Sequence, residues 1–193
     1  MEITVVGTGF IGGVLGRSLS AAGHDVTFAS RHPEDDKVAE GSGARVASVA
    51  DALQDASVVV LALPGGAVSD FVADNGKALA GKLVIDATNQ MGQPVANARG
   101  ALPPGTRYAR AFNTVGGENM ADPIFAGVQA DMFFSAAEGD RPVVEAVISG
   151  VGMRPVFVGE DQEQLVDALF QLWVALAMKQ GRGRRMAWKL LEG

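Results

Sequence analysis

"EITVVGTGFIGG", residues 2–13, decides how the rest of this chain is read. The run from Ile3 to Val6 is β-branched and stops at a glycine, as a short strand does. Ile11, Val14, Leu15, Leu19 and Ala22 then recur at helical spacing, and Gly23 closes the pattern. Between strand and helix stands Gly7-x-Gly9-x-x-Gly12. A chain with 25 Gly produces that spacing by chance. A strand before it and an amphipathic helix after it make it specific for a dinucleotide-binding turn. Gly7 allows the tight turn, Gly9 the close approach of a pyrophosphate, and Gly12 close packing of helix on sheet. Free backbone N–H groups at the helix start then face the phosphates. The competing reading is a structural turn with no ligand.

About twenty residues past such a loop, an Asp or Glu normally accepts the ribose hydroxyls. Here "FASRHPEDD", residues 28–36, offers Ser30, Arg31 and His32, with the acids delayed to Glu34, Asp35 and Asp36. A hydroxyl donor beside a guanidinium suits a 2′-phosphate, to which Arg makes paired bonds. Lys37 adds a second positive charge. The stretch therefore predicts NADP(H) rather than NAD(H). A surface Arg31 paired with Glu34 or Asp35 is the alternative.

Outward from this start, short β-branched runs alternate with helical patterns, which predicts a parallel sheet covered on both faces. Strands are expected at 24–30, 45–48, 57–64, 82–88, 108–113, 131–137 and 154–159. Helices are expected at 49–56, 66–80, 140–150 and 163–180. Residues 89–106 read as loop around a short helix, and 114–130 as loop or short helix. The fold class is α/β, a Rossmann-type doubly wound, mostly parallel sheet with a small C-terminal helical extension. The expected division is a nucleotide-binding domain over 1–160 and a C-terminal helix and tail over 161–193. Leu165, Leu169, Leu172, Trp173 and Leu176 stripe the last helix, for packing on its own domain or for a dimer seam.

Composition removes other classes. Among 193 residues there is no Cys and only 2 His, which excludes thiolate chemistry and leaves little for a metal site. A net charge of −6 argues against nucleic-acid partners. No apolar run reaches membrane-spanning length. The first strand begins at Glu2, without room for a signal peptide, so a cytoplasmic protein is expected.

Other site candidates lie at strand ends. "LALP" (61–64) places Leu63 and Pro64 beside the switch point of the sheet, under the nicotinamide-side ribose. "DATNQ" (86–90) and "RAFNTVGG" (110–117) place Asn89, Ala111, Asn113 and Thr114 at the next strand ends, as uncharged partners for a ribose and a carboxamide. Asp86 follows a buried strand and can be structural. No residue stands out as a catalytic acid or base, and the chain has neither a G-x-S-x-G elbow nor a Walker loop. Hydride transfer between stacked rings needs little beyond positioning, so it fits that absence.

"GTGFIGG", "GHDVTFASR", "LALP", "VIDATN", "AFNT", "VGMRPVFVG" and "GRGRRMAWKLL" occur in this order over nearly the whole length. Together they resemble the coenzyme F420-dependent NADP reductases. The resemblance implies an NADP-binding Rossmann domain, a small C-terminal part completing a cleft, and a homodimer. It also implies Thr8, Phe10 and Ile11 in the phosphate loop, Ser30 and Arg31 on the 2′-phosphate, and Ala111 near the carboxamide. The implied activity is hydride transfer between NADP(H) and a small-molecule acceptor or donor such as F420, or FMN or FAD. Asn113-Thr114 stands where those reductases carry His-Thr. The Asn-Thr form is similar to other bacterial dinucleotide-binding proteins and to the cytosolic domain of STEAP-type metalloreductases, so a ferric or flavin reductase is an alternative. A non-catalytic NADP(H) sensor or scaffold is another. Reduction of an imine, as in pyrroline-5-carboxylate reductases, needs a proton donor that the chain does not display. The basic tail (Lys179, Arg182, Arg184, Arg185, Lys189) is either an anchor for an acidic cofactor tail or a solvated, helix-capping face.

Overall fold

β1 (Glu2–Val6) starts a parallel sheet because its two faces are both apolar enough to be covered. Ile3, Val5 and Val6 are almost fully buried, and so is Thr4 between them. In this computed structural model, which describes residues 1–90 and 97–193, the chain divides into two compact units, Met1–Ala109 and Arg110–Gly193.

In the first unit β1 leads into α1 (Phe10–Ala21), β2 (Asp25–Ser30), β3 (Arg45–Ser48), α2 (Val49–Gln54) and β4 (Val58–Leu61). A single turn at Gly65–Ala67, α3 (Val68–Leu79), β5 (Leu83–Asp86) and β6 (Arg107–Arg110) follow, the unit boundary falling within β6. The strand order is β3-β2-β1-β4-β5-β6, the doubly wound Rossmann order, and β1 to β5 pair in parallel throughout. β4 is buried at all four positions, as a central strand covered on both faces must be. Val6, Val59, Leu61 and Val84 pack with Leu53 of α2 and Val72 of α3 in one core cluster. α2 starts where the sequence supplies a cap: the Ser48 hydroxyl accepts from the Asp51 N–H at 3.2 Å.

The second unit contains α4 (Gly117–Ala121), β7 (Ile124–Phe125), β8 (Val128–Gln129), β9 (Asp131–Ala136), α5 (Arg141–Gly150), β10 (Arg154–Phe157) and α6 (Glu163–Val174). β9 and β10 pair in parallel through the α5 crossover, with Arg154 opposite Asp131. β7 and β8 form an antiparallel hairpin around Ala126 and Gly127, both at positive φ (49° and 82°). Past Val174, α6 widens into a π turn over Ala175–Lys179.

Most expected elements are present, with shorter strands. β4 ends at Leu61, three residues before Pro64, and β6 ends at Arg110 rather than residue 113. The second difference has a local cause: Phe112 is buried with φ at 67°, which no strand residue adopts. The β7–β8 hairpin was not expected, since two-residue strands carry no periodicity to detect. Of the expected loop at 89–106, residues 91–96 lie outside the described residues, and Arg99–Ala101 forms a single turn. Among the described residues, no helix is long and apolar enough to cross a membrane.

Candidate dinucleotide-binding site

The glycines at the β1–α1 turn are there for two different steric reasons. Gly7 sits at φ 111°, and a Cβ there would lie 2.5 Å from the Ala62 carbonyl oxygen. A Cβ on Gly12 would overlap the Gly7 carbonyl, so the helix can approach the turn only without a side chain. Gly9 is the opposite case: a Cβ there meets nothing within 4 Å. The space above Gly9 is open, whereas the spaces behind Gly7 and Gly12 are filled by the protein's own backbone.

Gly9 is also the N-cap of α1, with extended backbone and no side-chain cap, and no acidic residue occupies the first turn. The Gly9 carbonyl accepts from the Gly13 N–H at 2.8 Å, which starts the helical ladder. The earlier N–H groups, at Phe10, Ile11 and Gly12, have no intrahelical acceptor by helix geometry. The uncapped positive end of the dipole thus faces the open side of the loop, where an anion is favoured. Phe10 is 62% exposed beside it.

At the C-terminal end of β2, Ser30 is buried and its hydroxyl is fully engaged. It donates to Asp36 Oδ2 at 2.9 Å and accepts from the His32 N–H at 3.2 Å. Asp36 Oδ1 accepts from the Val38 N–H at 3.0 Å. Partial burial pushes the Asp36 carboxyl up. The nearby Thr8 side chain and the bonds from Val38 and Ser30 outweigh that and hold it below its ordinary value. The loop that carries Asp36 is tied to α1, because Arg17 Nη1 donates to the Val38 carbonyl at 3.2 Å and Ser20 Oγ to the Ser42 carbonyl at 2.6 Å. Arg31 and Lys37 are exposed beside it, and neither makes an ion pair among the described residues, so the Arg31–Glu34 and Arg31–Asp35 alternatives are not formed.

The expected residues at the next strand ends separate into two groups. Pro64 and Asn89 form a parallel bridge just past β4 and β5, with Leu63 half-buried beside Pro64. Asp86 is structural: Oδ1 accepts from the Thr88 N–H (2.9 Å) and hydroxyl (2.6 Å). Its Oδ2 accepts from the Ala98 N–H (2.6 Å) and the Tyr108 hydroxyl (2.9 Å). Ala111 and Asn113 belong to the second unit, where both are fully buried, on either side of the left-handed Phe112. Thr114 is buried too, its hydroxyl donating to Met132 Sδ at 3.4 Å.

Within the second unit the basic tail divides: Lys179 stands in the last helical turn and Arg182 is exposed, whereas Arg184, Arg185 and Lys189 meet carboxylates. Arg184 makes a paired contact with Glu118 (Nε–Oε1 2.6 Å, Nη2–Oε2 3.1 Å), and Arg185 reaches Asp122 at 2.5 Å. Lys189 reaches Asp131 Oδ1 at 3.0 Å. Asp131 is fully buried and also takes two 2.7 Å bonds from Arg154 and one of 2.6 Å from the Leu190 N–H. Burial raises the Asp131 carboxyl, but these donors prevail and hold it low. Both indoles fasten the same tail: Trp173 donates to the Met186 carbonyl at 2.7 Å and Trp188 to the Thr114 carbonyl at 2.8 Å.

Sequence reasoning assigned no role to Asp36. It counted among the delayed acids, and nothing in "HPEDDK" marks which acid folds back. Among the described residues no group of three or more His, Asp or Glu is arranged to hold a metal ion.

Known proteins share this architecture. The structure of a "putative f420 dependent nadp-reductase" from Arthrobacter sp. FB24 superposes with a TM-score of 0.82 at 23% identity, covering 100% of both chains. A hypothetical protein, SMa0349, from Sinorhizobium meliloti gives 0.73 at 26% identity, covering 100% of this chain and 96% of its own. An imine reductase from Streptomyces aurantiacus gives 0.74 at 21% identity, and the match covers 93% of this chain but 64% of that longer one. No curated protein matches the sequence significantly. The likenesses below 25% identity speak for the fold. The family match is more specific: residues 2–90, which hold the Gly-rich loop, Ser30, Arg31, Pro64 and Asn89, fit the family of NADP oxidoreductases described as coenzyme F420-dependent.

Proposed function

We propose that this chain binds NADP(H) on its first unit and is an oxidoreductase that passes hydride between the nicotinamide and a flavin-like acceptor such as coenzyme F420. The observation that carries this reading is the open, uncapped Gly9 turn at the start of α1, with exposed Arg31 and Lys37 just past the end of β2. The residues present fit the cofactor. Open space over Gly9 and the uncapped start of α1 suit a pyrophosphate, and the exposed cations Arg31 and Lys37 suit a 2′-phosphate. When bound, NADPH supplies the hydride. This chain's residues hold and orient it: Gly7, Gly9, Gly12, Phe10 and Ile11 at the pyrophosphate, and Leu63, Pro64 and Asn89 at the ribose. Ala111 and Asn113 are assigned to the carboxamide by the family resemblance. Positioning supplies most of the rate in a transfer that needs no protein acid or base.

The homodimer is part of the same proposal. Leu165 and Leu172, one heptad apart on α6, are 51% and 46% exposed, which suits a seam between two copies. The alternative acceptors, a ferric chelate or FMN and FAD, and the non-catalytic sensor are decided by one assay. NADPH and the protein are mixed in turn with F420, FMN, FAD and ferric chelates, and the nicotinamide absorbance is followed. Oxidation with F420 alone supports the reading above. Oxidation only with a flavin or ferric chelate moves the acceptor to that class. Tight NADPH binding without turnover on any of them assigns a sensor.

A further inference from the structure

The Ser30–Asp36 contact has the wrong sign for an NADP site. A serine hydroxyl has one hydrogen to donate, and that of Ser30 goes to Asp36. Its acceptor side is taken by the His32 N–H. The one hydroxyl donor that β2 offers a 2′-phosphate is therefore occupied by an internal anion, while Arg31 and Lys37 stay exposed. Asp36 is held there rather than brushing past: the Val38 N–H fixes its other oxygen, and Val38 is in turn anchored by Arg17 of α1. Two anions cannot share this hydrogen, and a carboxylate beside a phosphate dianion is repelled.

We propose that Asp36 is a specificity-determining residue that competes with the 2′-phosphate: it caps Ser30 in the free chain and must swing out when NADP(H) binds. It lowers the NADP preference that Arg31 raises, because a ribose hydroxyl can donate to a carboxylate whereas a phosphate cannot. The inference rests on the reading of the first unit as an NADP site. The bonds of Ser30 and Val38 to Asp36 are its geometric support, and its consequence is a stronger site once Asp36 is removed.

The test measures dissociation constants of NADPH, NADH, 2′,5′-ADP and 5′-ADP by calorimetry for the wild type, Asp36→Ala and Asp36→Asn, with melting temperatures as the control for folding. Removal of the competitor tightens NADPH and 2′,5′-ADP by about fivefold, the equivalent of one ordinary hydrogen bond, whatever happens to NADH. Asp36→Asn keeps an acceptor for the Val38 N–H and loses the charge, so it shifts binding in the same direction by less. It decides the matter if the alanine variant does not fold. Unchanged NADPH and 2′,5′-ADP binding in the folded variants overturns the proposal while leaving the NADP reading intact. Weakened NADH with no gain for NADPH also overturns it, and makes Asp36 the grip on a ribose diol. Failure of all three proteins to bind any of the four nucleotides removes the NADP reading, and the proposal with it.

Discussion

The two units of this chain are held together by different kinds of information. In Met1–Ala109 the decisive contacts are local or between neighbouring strands: Gly7 against Ala62, Gly12 against Gly7, Ser30 on Asp36. In Arg110–Gly193 they are charged and distant in sequence: Arg184 with Glu118, Lys189 and Arg154 with Asp131, Arg110 with Asp167. The first kind is written as glycine spacing and helical periodicity. The second is written nowhere in the local pattern, because a partner sixty residues away leaves no periodicity. The lesson is that a basic tail on an acidic chain need not be looking for an external anion. Here three of its cations close on carboxylates of their own unit.

The largest test of that difference is Asp131→Ala. The substitution leaves Arg154 and Lys189 without their buried partner and frees the Leu190 N–H. Arg154 and Lys189 keep about a third of their side chains in solvent, so the loss is that of several charge-assisted hydrogen bonds, each worth about 1.5–3 kcal/mol; melting should fall by several degrees, and tryptophan emission should shift as the tail, Trp188 included, leaves Trp173 and Thr114. An unchanged melting temperature would mean that the tail is not latched. Acid probes the same carboxylate without mutation. The folded-state pKa of Asp131 is depressed, so its stabilisation is complete above its ordinary value of about 4 and is lost as pH falls through the lower folded value. The tryptophan shift should appear below pH about 4 and be absent at neutral pH.

In the first unit the matching test is Gly12→Ala, with a smaller expected effect. The new Cβ meets backbone, not a flexible side chain, so the α1 start must move. Overpacking of this kind costs about 1–3 kcal/mol, and NADPH binding should weaken more than stability does, because the displaced N–H groups are the ones that face the pyrophosphate. Equal losses of stability and binding would break the comparison by making the turn merely structural.

Nearly every element of the doubly wound unit was legible in the sequence, because strands buried on both faces and a helix with one apolar face each leave a period. The positions of Ser30 and Arg31 at the end of β2 were legible for the same reason. Asp36 was not: it returns to Ser30 through a turn built by its own bond to Val38, and the neighbouring Asp35 and Glu34 look no different in sequence. The early end of β6 was hidden as well, since the left-handed backbone of Phe112 is imposed by its buried surroundings and is contrary to the preference of a bulky residue. The wrapping of the tail escaped because charge count alone does not say which acid each base meets.

The central claim is that the first unit selects NADP(H) through Ser30 and Arg31. Titrating NADPH and NADH into the wild type and Arg31→Ala tests it most directly. The account predicts tighter NADPH than NADH binding in the wild type and loss of about tenfold or more of that preference in the variant, as expected for charge-assisted bonds to phosphate. A wild type that prefers NADH, or a preference that Arg31→Ala leaves unchanged, would contradict it.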